Sequence, residues 1–167
     1  MHRIIAALLA IVIPAAAPLH AQPTAGPAPA ASAITDQSFA MPVAGSWSYG
    51  ATSDGSAAIF FDRNSQPRLR LQCSRAIRRV TLSKPFNAAS VPASGGLAVW
   101  TSTQSRSLGA GFDAATGRLN APISNWDPLL DAIAYSRGRF AVAAGGQQPL
   151  VVPAWGDISR VIEDCRA

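Results

Sequence analysis

Histidine is nearly absent from this chain: of 167 residues only His2 and His20 carry an imidazole, and both lie at the amino-terminal end. A chain that loses that stretch has no histidine, which removes the commonest general base and the commonest metal ligand together. Neither a Ser-His-Asp triad nor a His-ligated zinc site is then available. Lysine and glutamate occur once each, as Lys84 and Glu163, so arginine and aspartate carry almost all of the charge. The two cysteines, Cys73 and Cys165, are far from the close Cys-x-x-Cys spacing of a redox pair. No acidic spacing matches a calcium loop. The glycines of "SLGAGF" and "AAGGQQ" lack the strand-to-helix setting and the following acid of a dinucleotide site. The residues therefore indicate no catalytic group, no metal site and no cofactor.

A long apolar run is also missing. Residues 4–13 are apolar, half of the roughly twenty residues that a membrane-spanning helix needs, and Pro14 and Pro18 follow them. With Arg3 before this run and small residues before Gln22, residues 1–21 read as a secretory signal peptide cleaved after Ala21. No cysteine stands at that junction to carry a lipid anchor. The expected location is periplasmic or secreted, with no transmembrane span in the mature chain. The formal charge is +5, and losing Arg3 leaves 13 basic against 9 acidic residues, or +4. That surplus favours acidic partners weakly and is too small to indicate nucleic-acid binding.

Residues 22–45 are rich in proline and alanine with almost no charge and read as a disordered tether. From Ser46 the period becomes two, the mark of half-buried strands, so residues 46–167 form the expected domain. "SWSY" and "SAAIFFD" flank the turn "TSDG" and predict a hairpin. "RLRLQC" sets Leu69, Leu71 and Cys73 on one face and Arg68, Arg70 and Gln72 on the other, and "RRVTLSK" continues with Val80 and Leu82 inward. "GLAVWTST" and "RSLGAGFD" are two further strands about Gln104 and Ser105.

The pattern then changes. "NWDPLLDAIAYSRGR" predicts a helix with Asp127 as N-cap, Pro128 in its first turn and Gly138 as its stop. "RFAVAAGGQQPLVVPAW" reads as two strands about a turn, and "DISRVIEDC" as a helix capped by Asp157 with Ile158, Val161, Ile162 and Cys165 on one stripe. The expected class is α+β with β dominant: an antiparallel β-sandwich or bent sheet with two helices.

Two independent periodicities put Cys73 on the inner face of its strand and Cys165 on the inner face of the last helix, which predicts one disulfide in an oxidising compartment. Asp127 and Asp131, four apart, look like a carboxylate pair but are better explained as a cap and a first-turn acid suited to the helix dipole. Asp54, Asp62 and Asp113 sit beside turns, where aspartate bonds backbone. Trp47, Trp100, Trp126 and Trp155 have apolar neighbours and read as core or core-edge residues. The one feature with binding chemistry is the basic strand face of Arg68, Arg70 and Arg79, with Arg75 and Arg78 near the turn. Arginine forks suit phosphate or carboxylate, whether in an envelope polyanion or an acidic periplasmic protein. The bland alternative is a solvated strand face that keeps the sheet from aggregating.

The stretches "LRLQCSRAIRRVTLS", "DPLLDAIAYSRGRF", "PLVVPAW" and "ISRVIEDC" resemble a group of small exported alphaproteobacterial proteins, chiefly of sphingomonads, with no assigned function. A looser similarity exists to periplasmic proteins of the invasion-associated locus B type, which usually carry more cysteines. The resemblance implies a periplasmic β-rich domain and supplies no catalytic residue. The function expected from the sequence is that of an exported, non-catalytic envelope binding or accessory protein. The alternative is an inhibitor of a secreted or cell-wall hydrolase, offering a loop such as "GGQQP"; a histidine-independent hydrolase is the weaker reading. Material recovered from the cell envelope should begin at Gln22 on N-terminal sequencing; a start at Met1 would contradict processing.

Overall fold

The alternation that begins at Ser46 builds an antiparallel meander. In the computed structural model, which describes residues 34–86, 96–145 and 147–167, β1 (Gly45–Thr52) pairs along its full length with β2 (Gly55–Asp62) through a two-residue turn. The expected leader, residues 1–21, and residues 22–33 of the expected tether lie outside the described residues. The pairing continues from β2 to β3 (Pro67–Ser74), with a register shift at Phe60 and Phe61, and from β3 to β4 (Arg79–Pro85).

The strands β5 (Gly96–Trp100) and β6 (Ser105–Gly109) form a second hairpin, and β7 (Gly111–Asp113) and β8 (Arg118–Ser124) return to the first sheet. After helix α1 (Pro128–Ala134) come β9 (Phe140–Ala144), β10 (Leu150–Val152) and helix α2 (Gly156–Arg166). The result is a six-stranded sheet, β1-β2-β3-β4-β8-β7, and a four-stranded sheet, β10-β9-β5-β6. The protein is β-dominant α+β, with antiparallel sheets, two helices and one disulfide.

The inner face of the large sheet is apolar because the alternate residues Leu69, Leu71, Cys73, Val80, Leu82, Leu119, Ala121 and Ile123 all point one way. The small sheet contributes Leu97, Val99, Phe140, Val142 and Ala144 to the same core. Helix α2 lies on β1, β2 and β3 and inserts Ile158, Val161, Ile162 and Cys165 there. Trp47 joins the layers: its ring meets Phe60 and Phe140 at 5.4 and 6.3 Å, and its indole Nε1 donates to the Pro153 carbonyl at 2.8 Å.

The cysteines meet as their periodicities required: Cys73 and Cys165 form a disulfide across 92 residues. Gly55 sits against it with φ +146°, and a Cβ there would lie 2.7 Å from the Cys73 carbonyl oxygen, so the position demands glycine. Asp54 clamps the neighbouring hairpin, accepting from Ser74 Oγ at 2.5 Å and from the Ala76 amide at 3.1 Å. The end of α2 is held by further bonds from Asn125 Nδ2 to the Cys165 carbonyl and from Arg166 to Asp131.

Several details depart from the sequence reading. "RSLGAGFD" is two strands in different sheets, because the chain turns the corner at Ala110. No strand is expected over β8 from the sequence; Pro122 is exposed there opposite Thr81, beyond the stretch of residues 118–120 that pairs with β7. The N-cap of helix α2 stands two residues earlier than expected, at Trp155 with no side-chain cap, so Asp157 is a first-turn acid rather than the cap. Helix α1 has the expected cap, Asp127 accepting from the Leu129 amide, but it ends at Ala134 with Tyr135 as C-cap; Gly138, with φ +72°, turns the chain into β9 instead.

Residues 34–43, part of the stretch 22–45 read from the sequence as a disordered tether, lie against the outer face of the small sheet. Ile34 and Ala40 pack on Trp100, Ala141 and Val151, and the Val43 amide donates to the Val151 carbonyl at 2.8 Å. That face carries apolar side chains and needs a cover.

On the chain-entropy description, a crosslink closing a loop of this length stabilises the fold by about 4 to 5 kcal/mol. The Cys73→Ala, Cys165→Ala double variant should lose stability of that order in urea titrations while keeping its strand signal at low urea.

Candidate functional site

With its inner face used for the core, the large sheet leaves its outer face to solvent. Across β3, β4, β8 and β7, Arg70, Ser83, Asn120 and Gly111 lie in one register row. Gln72, Thr81 and Pro122 form the next, and Arg118 opposes Asp113 at the other side. Together with Phe112 and Thr116 these residues enclose a cleft of about 650 Å³. Its lining mixes the hydroxyl, amide and guanidinium groups of these side chains with the apolar surfaces of Phe112 and Pro122 and the Asp113 carboxylate.

Arg70 and Arg118 are the cations of this cleft. Burial and the Arg70 guanidinium push Arg118 below the ordinary arginine range. Among the described residues no carboxylate lies within ion-pair distance of either. Asp113, the acid of the cleft, is turned into its own turn, accepting from the Ala115 amide at 2.9 Å and from Thr116 Oγ1 at 2.7 Å, which holds its carboxyl below the usual range. Four buried side-chain polar atoms lack a partner among the described residues, and the two that belong to charged groups are Arg70 Nε and Arg118 Nη1. Buried donors without acceptors are costly, and charged ones most of all.

The three arginines expected from the strand pattern separate in space. Arg70 is in the cleft. Arg68 is paired with Asp62 at 2.9 Å and lines a second, smaller cavity of about 360 Å³ with Lys84, Phe86, Gly117 and Gln147. Arg79 stands exposed at the far end of β4, opposite Ser74 and Ser124, about 13 Å along the strand from Ser83. Near the turn, Arg75 Nε donates to the Asp164 carbonyl at 3.2 Å. Arg118 was missed because the strand that carries it was missed; the signal available was the alternation of Leu119, Ala121 and Ile123 with Arg118, Asn120 and Pro122.

The remaining candidates take structural roles. Asp127 caps α1 and accepts both Arg106 Nη1 and Nη2, at 2.9 and 2.7 Å, which lowers its carboxyl, whereas Asp131 pairs with Arg166 at 2.8 Å; the two acids do not face one site. Trp47 and Trp100 are buried, but Trp126 and Trp155 are 64% and 46% exposed, Trp126 lying under the Arg166 guanidinium at 5.1 Å. Among the described residues no cluster of three potential metal ligands occurs, and no helix is long and apolar enough to cross a membrane.

The chain matches no family model, no curated protein and no solved structure. The cleft is therefore read from its own chemistry.

Lys84 shares the arginines' condition. Burial, and then the Arg68 cation, lower its ammonium from the ordinary value of 10.5. Between the folded and unfolded values the unfolded chain holds the extra proton, so this group makes the fold gain stability as pH rises through that window. In Lys84→Met that alkaline gain should be absent, and Arg118→Met should leave the neutral-pH urea midpoint unchanged or higher, because each removes a cation with no ion-pair partner among the described residues.

Proposed function

We propose that this is an exported, non-catalytic binding protein whose outer-sheet cleft takes an anionic group, a phosphate or a carboxylate, of an envelope component. The observation that carries the reading is the pair Arg70 and Arg118, both lining one cleft, neither within ion-pair distance of a carboxylate and each with a buried N–H that has no acceptor among the described residues. An anion seated between them supplies both missing acceptors and offsets the repulsion of the two cations. Arginine is the side chain suited to this, since its planar fork matches two oxygens at once.

Around the charged pair, Ser83, Asn120, Gln72 and Thr81 present neutral donors and acceptors, the complement expected for hydroxyl groups attached to the anion. Export is supported by the composition of residues 1–21, and a single disulfide suits an oxidising compartment. The absence of histidine after residue 20 and the engagement of both cysteines support a binding rather than a catalytic role.

Titration of the purified protein with inorganic phosphate and with glucuronate, followed by amide chemical shifts, should perturb β3, β4 and β8 first. Each charge-assisted hydrogen bond contributes about 1.5 to 3 kcal/mol, so Arg70→Gln or Arg118→Gln should weaken binding about tenfold or more. Arg79→Gln, on the same face but outside the cleft, should leave it unchanged. Equal affinity in all four proteins, or no binding of either probe, would refute the proposal.

A further inference from the structure

One end of the large sheet carries an exposed tip that the fold does not use. The turn Arg75 to Arg78 joins β3 to β4, and its four residues and Arg79 are all exposed, Ile77 to 63%. The Asn125 amide donates to the Arg78 carbonyl at 3.2 Å, continuing the pairing of Arg79 with Ser124. One residue beyond this bond on each segment stands an exposed apolar side chain, Ile77 on one and Trp126 on the other. The Arg166 guanidinium covers one side of the Trp126 ring, and its Nε donates to the Asn125 carbonyl at 2.8 Å, which fixes the indole in place.

The turn itself is held. Asp54 accepts from Ser74 Oγ and from the Ala76 amide, the Arg78 amide donates to the Arg75 carbonyl, and the disulfide at Cys73 lies two residues before Arg75. Arg78 has φ +51°, a left-handed conformation that glycine adopts without cost, so the turn gives no reason for an arginine there. Among the described residues no carboxylate lies within ion-pair distance of Arg75, Arg78 or Arg79. Asp54 and Asp164, the acids that feel Arg75, are engaged by Ser74 and by the Tyr49 hydroxyl, and Asp131 is paired with Arg166.

We infer that this tip docks on a bilayer surface of anionic lipid, Ile77 and Trp126 entering the boundary between headgroups and acyl chains while Arg75, Arg78 and Arg79 meet phosphates. Two apolar side chains are a small patch for a protein partner, since a stable interface buries about 800 Å² on each side. A fluid bilayer needs no matching surface: it accepts a rigid apolar tip, favours tryptophan at headgroup level and attracts the cations around it. The tip is separate from the cleft, Arg79 lying about 13 Å along β4 from Ser83.

Co-sedimentation of the purified protein with vesicles tests the inference. Vesicles of equal parts phosphatidylcholine and phosphatidylglycerol should pellet it, less so as salt rises, and vesicles of phosphatidylcholine alone should not. Ile77→Ser, which leaves every charge and the cleft intact, should lower the partition coefficient about tenfold. Arg78→Gln should lower it about fivefold. Arg63→Gln, the same loss of charge on the exposed turn at the opposite end of β3, should leave it unchanged. Tryptophan emission should move to shorter wavelength on the mixed vesicles, and Trp126→Phe should remove most of that shift.

Absence of pelleting would overturn the inference, and so would equal losses in Arg63→Gln and Arg78→Gln. Pelleting that Arg78→Gln weakens and Ile77→Ser does not would reduce it to adsorption by charge and overturn docking of the tip. Retention on immobilised polyglutamate without pelleting on vesicles would overturn it in favour of an acidic protein partner.

Discussion

The bond between Cys73 and Cys165 joins the middle of the large sheet to the last turn of the chain, and much of the architecture follows from it. An amphipathic helix of eleven residues is a marginal object alone. Here its apolar stripe is pressed on β1, β2 and β3, and its far end is fastened by the disulfide, by Asn125 and by Arg166. Tyr49 adds a hydrogen bond to Asp164 under the Arg160 guanidinium, so the helix end is tied to β1 as well. The same contact explains Gly55, whose missing side chain leaves room for the Cys73 carbonyl.

Once α2 and the small sheet cover the inner face, the outer face is released from any packing duty. Position 70 then needs only to tolerate water, and the sheet admits an arginine there beside another at position 118. The two guanidiniums gain nothing from each other, and among the described residues neither has an acid within ion-pair distance. Arg68, by contrast, has Asp62, Arg106 has Asp127 and Arg166 has Asp131. The cleft arginines differ from these in having a buried N–H without a partner among the described residues, and that, rather than the net charge of the chain, marks the candidate site.

The strand pairs from Ser46 to Pro85 were legible because each strand has one buried and one wet face, and alternation reports that directly. Helix α1 was legible from Asp127 and Pro128, whose cap chemistry is local. β8 was not, and its Pro122 is tolerated where the pairing with β7 has already ended at Asn120, a circumstance that exists only after the sheet has formed. The split of "RSLGAGFD" between two sheets was hidden for a similar reason: nothing in the residues beside Ala110 states which sheet each half will join. Arg118 and the inward position of Lys84 were lost with these features, so the basic face read from Arg68, Arg70 and Arg79 was a strand property, whereas the cleft is a property of four strands.

By itself the sequence determined which faces are apolar, where the first helix is capped, and that two cysteines on inward positions share a core, because each of these depends on residues within one turn or one strand. The tertiary structure alone decided which arginines find acids, that Lys84 is enclosed opposite Gln147, and that Arg70 stands beside Arg118. Those outcomes depend on register between strands far apart in the chain, and register is set by how the whole apolar face closes.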